Sequence, residues 1–310
     1  MHDVTDVDEP FLVAGSADDV ARATRTHVQG HWRISVRKLP ISRAAAIDAL
    51  TAHIGIPIPE MIFGDNEVAL CHVPTGWTIR FCAADALDAV DKTGRDRLQV
   101  AHAGDWARSR ETSAAAGIAD VRPYDWSYST TYTGTEGWED KTDGTDGQPQ
   151  PPKPHLSPSS AALPLDLLRR RDPIVFHDDV ILYESELDDN GISVLRVKIR
   201  VMPQRLLLLC RLYMRLDHVI VRVRDTRVYV DFASDRVLRE YTAREAPFAA
   251  VQQSLALRGL RPDAVVVAMR DADRVADLLP VVHHSMEEVD LGQAALNGDS
   301  FGPPEHSGTA

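Results

Sequence analysis

The chain has 310 residues and a mass of 34.2 kDa, enough to bury roughly three quarters of its unfolded surface, so disorder of the whole chain is excluded. With 34 Lys and Arg against 46 Asp and Glu the formal net charge is -12, which repels phosphate backbones and anionic lipid and argues against nucleic-acid and membrane partners. Cys71, Cys82 and Cys210 each sit in an apolar stretch and none is spaced C-x-x-C. A disulfide framework or structural zinc site is therefore not indicated, and a reducing compartment is expected, cytoplasmic and also nuclear.

In chain order, the first residues carry Asp3, Asp6, Asp8, Glu9, Asp18 and Asp19 where a secretory signal or presequence would need bases, and an acidic flexible tail is expected over 1–27. A single domain is expected over 28–290 and a second flexible tail over 291–310. Ser42 is predicted to cap a helix from Arg43 to His53 that ends before Gly55, and further short helices are predicted at Ala83 to Val90 and Leu98 to Arg110. Tyr124, Trp126, Tyr128 and Tyr132 then concentrate aromatics in a chain that is 6% aromatic, as a core-forming edge strand or an amphipathic contact patch would. From Glu136 to Ser160, Gly gives way to Pro among Asp, Thr and Ser, and a mobile loop over 136–160 is expected.

Pro164 is placed to start a short turn of helix ending at Arg171. A strand from Val180 to Leu187 leads through Asp188-Asp189-Asn190-Gly191, whose Asn-Gly pair suits a tight hairpin, into Leu195, Val197, Ile199 and Val201 alternating with Arg196, Lys198 and Arg200. Beyond Pro203 the even positions Leu206 to Leu216 are all apolar. The apolar run Leu206 to Cys210 is far short of the roughly 20 residues of a membrane-spanning helix. Val219, Val221 and Val223 make another strand, a turn is expected near Asp225-Thr226, and Val228, Val230 and Phe232 make the next. Helices at Pro247 to Arg258 and Asp273 to Leu279 follow. The predicted class is α+β and mainly antiparallel β: layered sheets in a meander with short peripheral helices.

Chemistry is sparse. The sequence holds no G-x-S-x-G elbow and no Gly-rich phosphate cradle, and the neighbours His283 and His284 point different ways on either helix or strand. No catalytic residue, cofactor or metal ligand is expected. An alternative is a carboxylate- or metal-dependent enzyme using the acids between Asp178 and Asp189, where Glu184 and Glu186 share one strand face. The strongest signal is the set Arg196, Arg200, Arg211, Arg215, Arg222, Arg224 and Arg227. On one exposed face these would form a positive groove for a carboxylate, phosphate or acidic peptide; the alternative is that each pairs with Asp217, Asp225 or Asp231 at a solvated surface.

Pro59-Glu60-Met61-Ile62-Phe63-Gly64-Asp65-Asn66, Asp85-Ala86-Leu87, Pro123-Tyr124-Asp125-Trp126-Ser127-Tyr128, Val197-Lys198-Ile199-Arg200-Val201-Met202-Pro203, Asp225-Thr226-Arg227 and Leu238-Arg239-Glu240-Tyr241 follow one another in an order that resembles the TIPRL family, the TOR signalling pathway regulator-like or Tap-interacting proteins. The match spans about Gly30 to Glu245. It departs at Val230-Asp231, where the family usually has His-Glu. The resemblance implies a non-enzymatic regulator that binds catalytic subunits of the type 2A, 4 and 6 protein phosphatases by their acidic, carboxylate-ended tail, acts in TOR-linked signalling, and has a Tap-type phosphatase-associated protein as a further partner. By motif match it points to Asp85, Asp225, Arg227 and Tyr241 as cleft or supporting residues. With Arg200 and Arg222 of the Arg-rich sheet they make up the expected partner-binding set.

Overall fold

The computed structural model describes residues 17–93, 124–139 and 153–292. Alternation of apolar and polar residues dictates most of what is seen. In chain order the elements are α1 (Ala17–Ala23), β1 (Thr24–Gln29), β2 (Trp32–Arg37), α2 (Ala44–Ile54), β3 (Met61–Ile62), β4 (Glu67–His72), β5 (Trp77–Cys82), α3 (Ala83–Asp88), β6 (Thr135–Trp138) and β7 (Ser157–Pro158). Next come α4 (Leu165–Leu168), β8 (Phe176–Ser185), β9 (Gly191–Met202), β10 (Arg205–Leu216), β11 (Ile220–Asp231), β12 (Arg236–Pro247), α5 (Phe248–Leu257), α6 (Pro262–Ala268), α7 (Ala272–Val275) and β13 (Val281–Asp290). All strand pairs are antiparallel, in a five-stranded sheet ordered β1-β2-β4-β5-β6 and an eight-stranded sheet ordered β3-β8-β9-β10-β11-β12-β13-β7. The predicted class holds.

One face of each sheet feeds a shared core. Trp32, Ile34, Leu70, Trp77, Ile79 and Phe81 from the small sheet join Leu182, Val197, Ile199, Leu206, Leu208, Val228 and Val230 from the large one, all with almost no exposed surface. Each fully buried Leu, Ile or Phe side chain contributes about 1.5–3 kcal/mol. On its outer face the large sheet is covered in part by α5, α6 and α7, whose Val251, Leu255, Val265 and Ala268 pack on Tyr213, Val221 and Val223. A smaller cluster of Leu163, Tyr229 and Leu238 seals another part of that face.

Several local expectations give way. Ser42 caps nothing: the helix starts after Arg43, and the Ser42 hydroxyl instead accepts the Gly64 amide at 2.9 Å. Residues 17–27 are α1 and most of β1 rather than tail. The stretch expected as a loop over 136–160 is built into the sheets at both ends: β6 pairs with β5, β7 pairs with β13, and the Glu136 carboxylate accepts from Trp77 Nε1 and from the Leu156 amide, each at 3.0 Å. The middle of that stretch, the helix predicted at Leu98 to Arg110 and the tail beyond residue 292 lie outside the described residues.

The expected turn at Asp225-Thr226 does not exist. β11 runs unbroken from Ile220 to Asp231, because β10 on one side and β12 on the other supply partners along its whole length. The chain reverses at 217–219 and 232–235 instead. At the β8–β9 turn the positive φ angles fall on Leu187, Asp188 and Asp189 rather than on the Asn-Gly pair. Gly191 is required there for a different reason, since a Cβ would stand 1.9 Å from the Arg215 carbonyl oxygen.

Gly191→Ala must therefore push β9 away from β10, at a cost of about 2 kcal/mol or more. Urea unfolding at neutral pH checks this, and Gly55→Ala, where a Cβ meets nothing within 4 Å but φ is +80°, should cost less.

Candidate functional site

The register decides which charges share a face. Val197 opposes Cys210 and Cys210 opposes Thr226, so these residues and their alternates face the core. Arg196 opposes Arg211 and Arg211 opposes Asp225, so Arg196, Arg200, Arg211, Arg215, Asp225 and Arg227 face outward. Arg222 and Arg224, of opposite parity on the same strand, face the other way. The groove expected to hold all seven guanidiniums on one face is thus not formed, because a continuous strand keeps parity where a turn would have reset it.

On the outer face Asp225 is the hub. Its side chain has no exposed surface and accepts from Arg211 Nε at 2.6 Å, Arg211 Nη2 at 2.8 Å and Arg227 Nη2 at 2.9 Å, with Arg244 Nη1 at 3.9 Å. Arg227 also donates to Glu240 at 2.9 Å, Glu240 lies 3.2 Å from His284 Nε2, and Arg211 also pairs with Asp273 of α7. Burial works against the charge of Arg211, but hydrogen bonds and attraction from Asp225 and then Asp273 outweigh it and raise its pKa. Arg227 is thus a bridge between two acids, not a turn residue.

Beside this network lies a cleft of about 310 Å³, lined by Glu184, Arg196, Lys198, Arg211, Arg270 and Asp273 among others. The side chains of Lys198, Arg270 and the neighbouring exposed Arg200 make no ion pair or hydrogen bond among the described residues, whereas Arg196 lies 3.3 Å from Asp179. Lys198 and Arg270 escaped the sequence reading, which counted guanidiniums on strands and passed over a lysine and a helix-end arginine.

At the core-facing edge, Arg222 Nε donates to Glu245 at 3.0 Å and Arg222 Nη1 lies 3.7 Å from Asp125, while Arg224 Nη2 donates to the same Glu245 oxygen at 2.9 Å. Burial would raise the Glu245 carboxyl, but hydrogen bonds and charge from Arg224 and Arg222 win and lower it. Tyr241, cross-strand from Thr226, is 6% exposed, packs on His283, and its hydroxyl has no hydrogen-bond partner among the described residues. The aromatic segment is threaded here, with Thr226 Oγ1 donating to the Tyr132 carbonyl at 3.3 Å and Tyr132 Oη donating to the Arg80 carbonyl at 2.9 Å. Asp85 closes the chain of contacts, accepting from Thr135 and from Arg80 Nε at 3.2 Å. Of the six expected site residues, Arg200, Asp225 and Arg227 thus share the outer face, Arg222 and Asp85 each contact the 124–135 segment, and Tyr241 is buried against His283 on the core-facing side.

The acids between 178 and 189 do not converge. Asp178 is bound by Arg25 at 2.7 Å and Lys38 at 2.5 Å, Asp179 by Arg196, and Glu186 lies past the end of β8. No group of three metal-ligating side chains forms there among the described residues. No helix among the described residues is long and apolar enough to cross a membrane.

Long antiparallel strands that display guanidiniums and carboxylates cross-paired on one face define a β-sheet scaffold rather than a cofactor or nucleotide fold. The model of the TIP41-like family matches residues 61–252, a span that includes all six expected site residues. The Type 2A phosphatase activator TIP41 of Saccharomyces cerevisiae is 37% identical over 272 residues, covering 83% of this chain and 72% of the relative. TIP41-like proteins of Homo sapiens (37% over 218 residues, 70% of this chain and 75% of the relative) and Arabidopsis thaliana (33% over 301 residues, 93% and 98%) are also similar. The chain belongs to the TIP41-like family.

Asp225→Asn should cost about 3–5 kcal/mol, because it strands the partly buried guanidiniums of Arg211 and Arg227; chemical denaturation measures it. For Glu245, the depressed carboxyl means that its contribution is fully present above the ordinary value of 4.5 and is lost as pH falls through the lower folded value. Glu245→Gln should accordingly lose about 1–2 kcal/mol at neutral pH and less at about pH 3. Equal losses at both pH values would show that the charge is not what matters.

Proposed function

We propose that this protein is a non-enzymatic regulator of type 2A-family serine/threonine protein phosphatases that binds their catalytic subunits, those of types 2A, 4 and 6, in TOR-linked signalling in the cytoplasm and nucleus. Family membership carries this reading: relatives in two fungi are named type 2A phosphatase activators. Nothing in the described charged face resembles a nucleophile with its base. A Tap-type phosphatase-associated protein is the further partner that the family resemblance suggests.

The contact surface in this proposal is the outer face of β9 to β12. Lys198, Arg200 and Arg270 are cations without partners among the described residues, beside a concavity of a size suited to a short peptide end. An acidic tail with a free terminal carboxylate gains charge-assisted hydrogen bonds there without first breaking internal ones. Arg227 offers the planar fork for such a tail, in exchange with Glu240.

Binding of a purified type 2A catalytic subunit, and of its tail peptide with a free or amidated carboxylate, tests the reading by calorimetry. Lys198→Glu with Arg270→Glu should lower affinity tenfold or more with little change in melting temperature, since neither side chain has a partner among the described residues. At Arg227 the expected order of affinity is Arg, then Lys, then Glu. A lowered melting point with unchanged affinity per folded molecule would make Arg227 purely structural, and absence of binding by the unaltered chain to any such subunit would overturn the function.

A further inference from the structure

We propose that His31, His72 and Asp235 form a binding site for a single divalent transition-metal cation of the zinc class. Nδ1 of His31 lies 2.6 Å from Asp235 Oδ2, Nε2 of His72 lies 3.5 Å from the same oxygen, and all three ligand atoms fall within 4.8 Å of one another. Zinc takes nitrogen and carboxylate ligands at about 2.0–2.2 Å, which on a tetrahedral centre sets ligand atoms roughly 3.3–3.5 Å apart. The His72–Asp235 separation already meets this. His31, on the two-residue β1–β2 turn and with 62% of its side chain exposed, is the ligand free to move back by about an ångström and admit the ion.

The partners behind the ligands suit the same assignment. His72, which is fully buried, has its other ring nitrogen 2.9 Å from the Thr75 hydroxyl, so an Nδ1–H donated to Thr75 directs the Nε2 lone pair at the site. The second oxygen of Asp235 accepts from Trp32 Nε1 at 2.9 Å, which leaves Oδ2 to face the two imidazoles. Outer partners of this kind, one on each ring or carboxylate, orient ligands and raise their basicity. Two imidazoles and one carboxylate favour zinc-like cations over magnesium or calcium, and three protein ligands leave a fourth position for water on the exposed His31 side. The sequence could not show the site, because its ligands come from the β1–β2 turn, the end of β4 and the β11–β12 turn. A cation there would tie the small sheet to the large one.

Untagged full-length protein, stripped with a chelator, is titrated with Zn²⁺, Co²⁺ and Mg²⁺ while melting temperature and the visible spectrum of Co²⁺ are recorded. One equivalent of Zn²⁺ should raise the melting temperature by several degrees, Mg²⁺ should not, and Co²⁺ should give the intense visible bands of a low-coordinate site. His31→Ala, at an exposed position that does not threaten folding, should weaken Zn²⁺ binding more than tenfold, as should Asp235→Asn, and Thr75→Val should weaken it about tenfold. Metal binding of equal strength in His31→Ala would locate the ion at other histidines and overturn the proposal. So would a melting temperature that ignores Zn²⁺ and follows pH alone, which would show that a proton, not a metal, joins these side chains.

Discussion

A carboxylate with no exposed surface stands in the middle of the longest run of paired strands, and the large sheet is organised around it. Asp225 is sustained by guanidiniums from β10 and from its own strand, and Arg211 sits directly across the ladder from it. Side chains alternate between faces with a period of two, so a slip of one residue would carry Asp225 into the shared core and Thr226 out of it. The penalty for an unpaired buried charge and the reward for burying Val228, Val230, Leu206 and Leu208 therefore select the same register. Agreement between these two unrelated forces pins four strands of equal length to one another.

The same constraint explains which elements are visible in the sequence. β10 has one wholly apolar side and β9 is apolar on its core side from Leu195 to Val201, which makes both visible in the sequence. In the sequence Asp-Thr divides β11 in two because it is a turn-forming pair, while the Arg211 that makes an aspartate acceptable in mid-strand lies fourteen residues earlier. β12 hides because Val237, Leu238 and Arg239 are all buried, the first two under different clusters on opposite faces, so that alternation disappears. β4 is lost likewise in Leu70-Cys71-His72, all three buried. In β2, by contrast, Trp32, Ile34 and Val36 alternate with Arg33, Ser35 and Arg37, a strand signal carried in full by the sequence.

The site was legible in its composition and not in its geometry. That arginines cluster on one sheet follows from the sequence; which of them stand together depends on parity, and parity depends on where the turns are. Moving the turn from Asp225 to 232–235 sends Arg222 and Arg224 to the core-facing edge, where Arg222 donates to Ser129 and Thr226 to the Tyr132 carbonyl, clamping the aromatic segment against the large sheet, while Asp85 accepts from Thr135 on the small-sheet side. That clamp and the His31–His72–Asp235 cluster lie toward opposite ends of β11, so both ends of the sheet-to-sheet junction carry polar links beside the apolar core.

The division between paired and unpaired cations also bears on what the outer face can recognise. An acidic ligand that takes Arg227 must displace Glu240, exchanging one charge-assisted bond for another and leaving a carboxylate to be rehydrated, so the net gain is small. Lys198, Arg200 and Arg270 have no partner among the described residues to lose when a ligand arrives, and each would contribute its full attraction in a setting that water already reaches. Because the protein as a whole is negative, an anion is repelled from most of its surface and attracted only where these cations outnumber the acids around the cleft. In the proposed contact, affinity on this face is carried by Lys198, Arg200 and Arg270, while the Asp225 network ties β10 to β11 beside them.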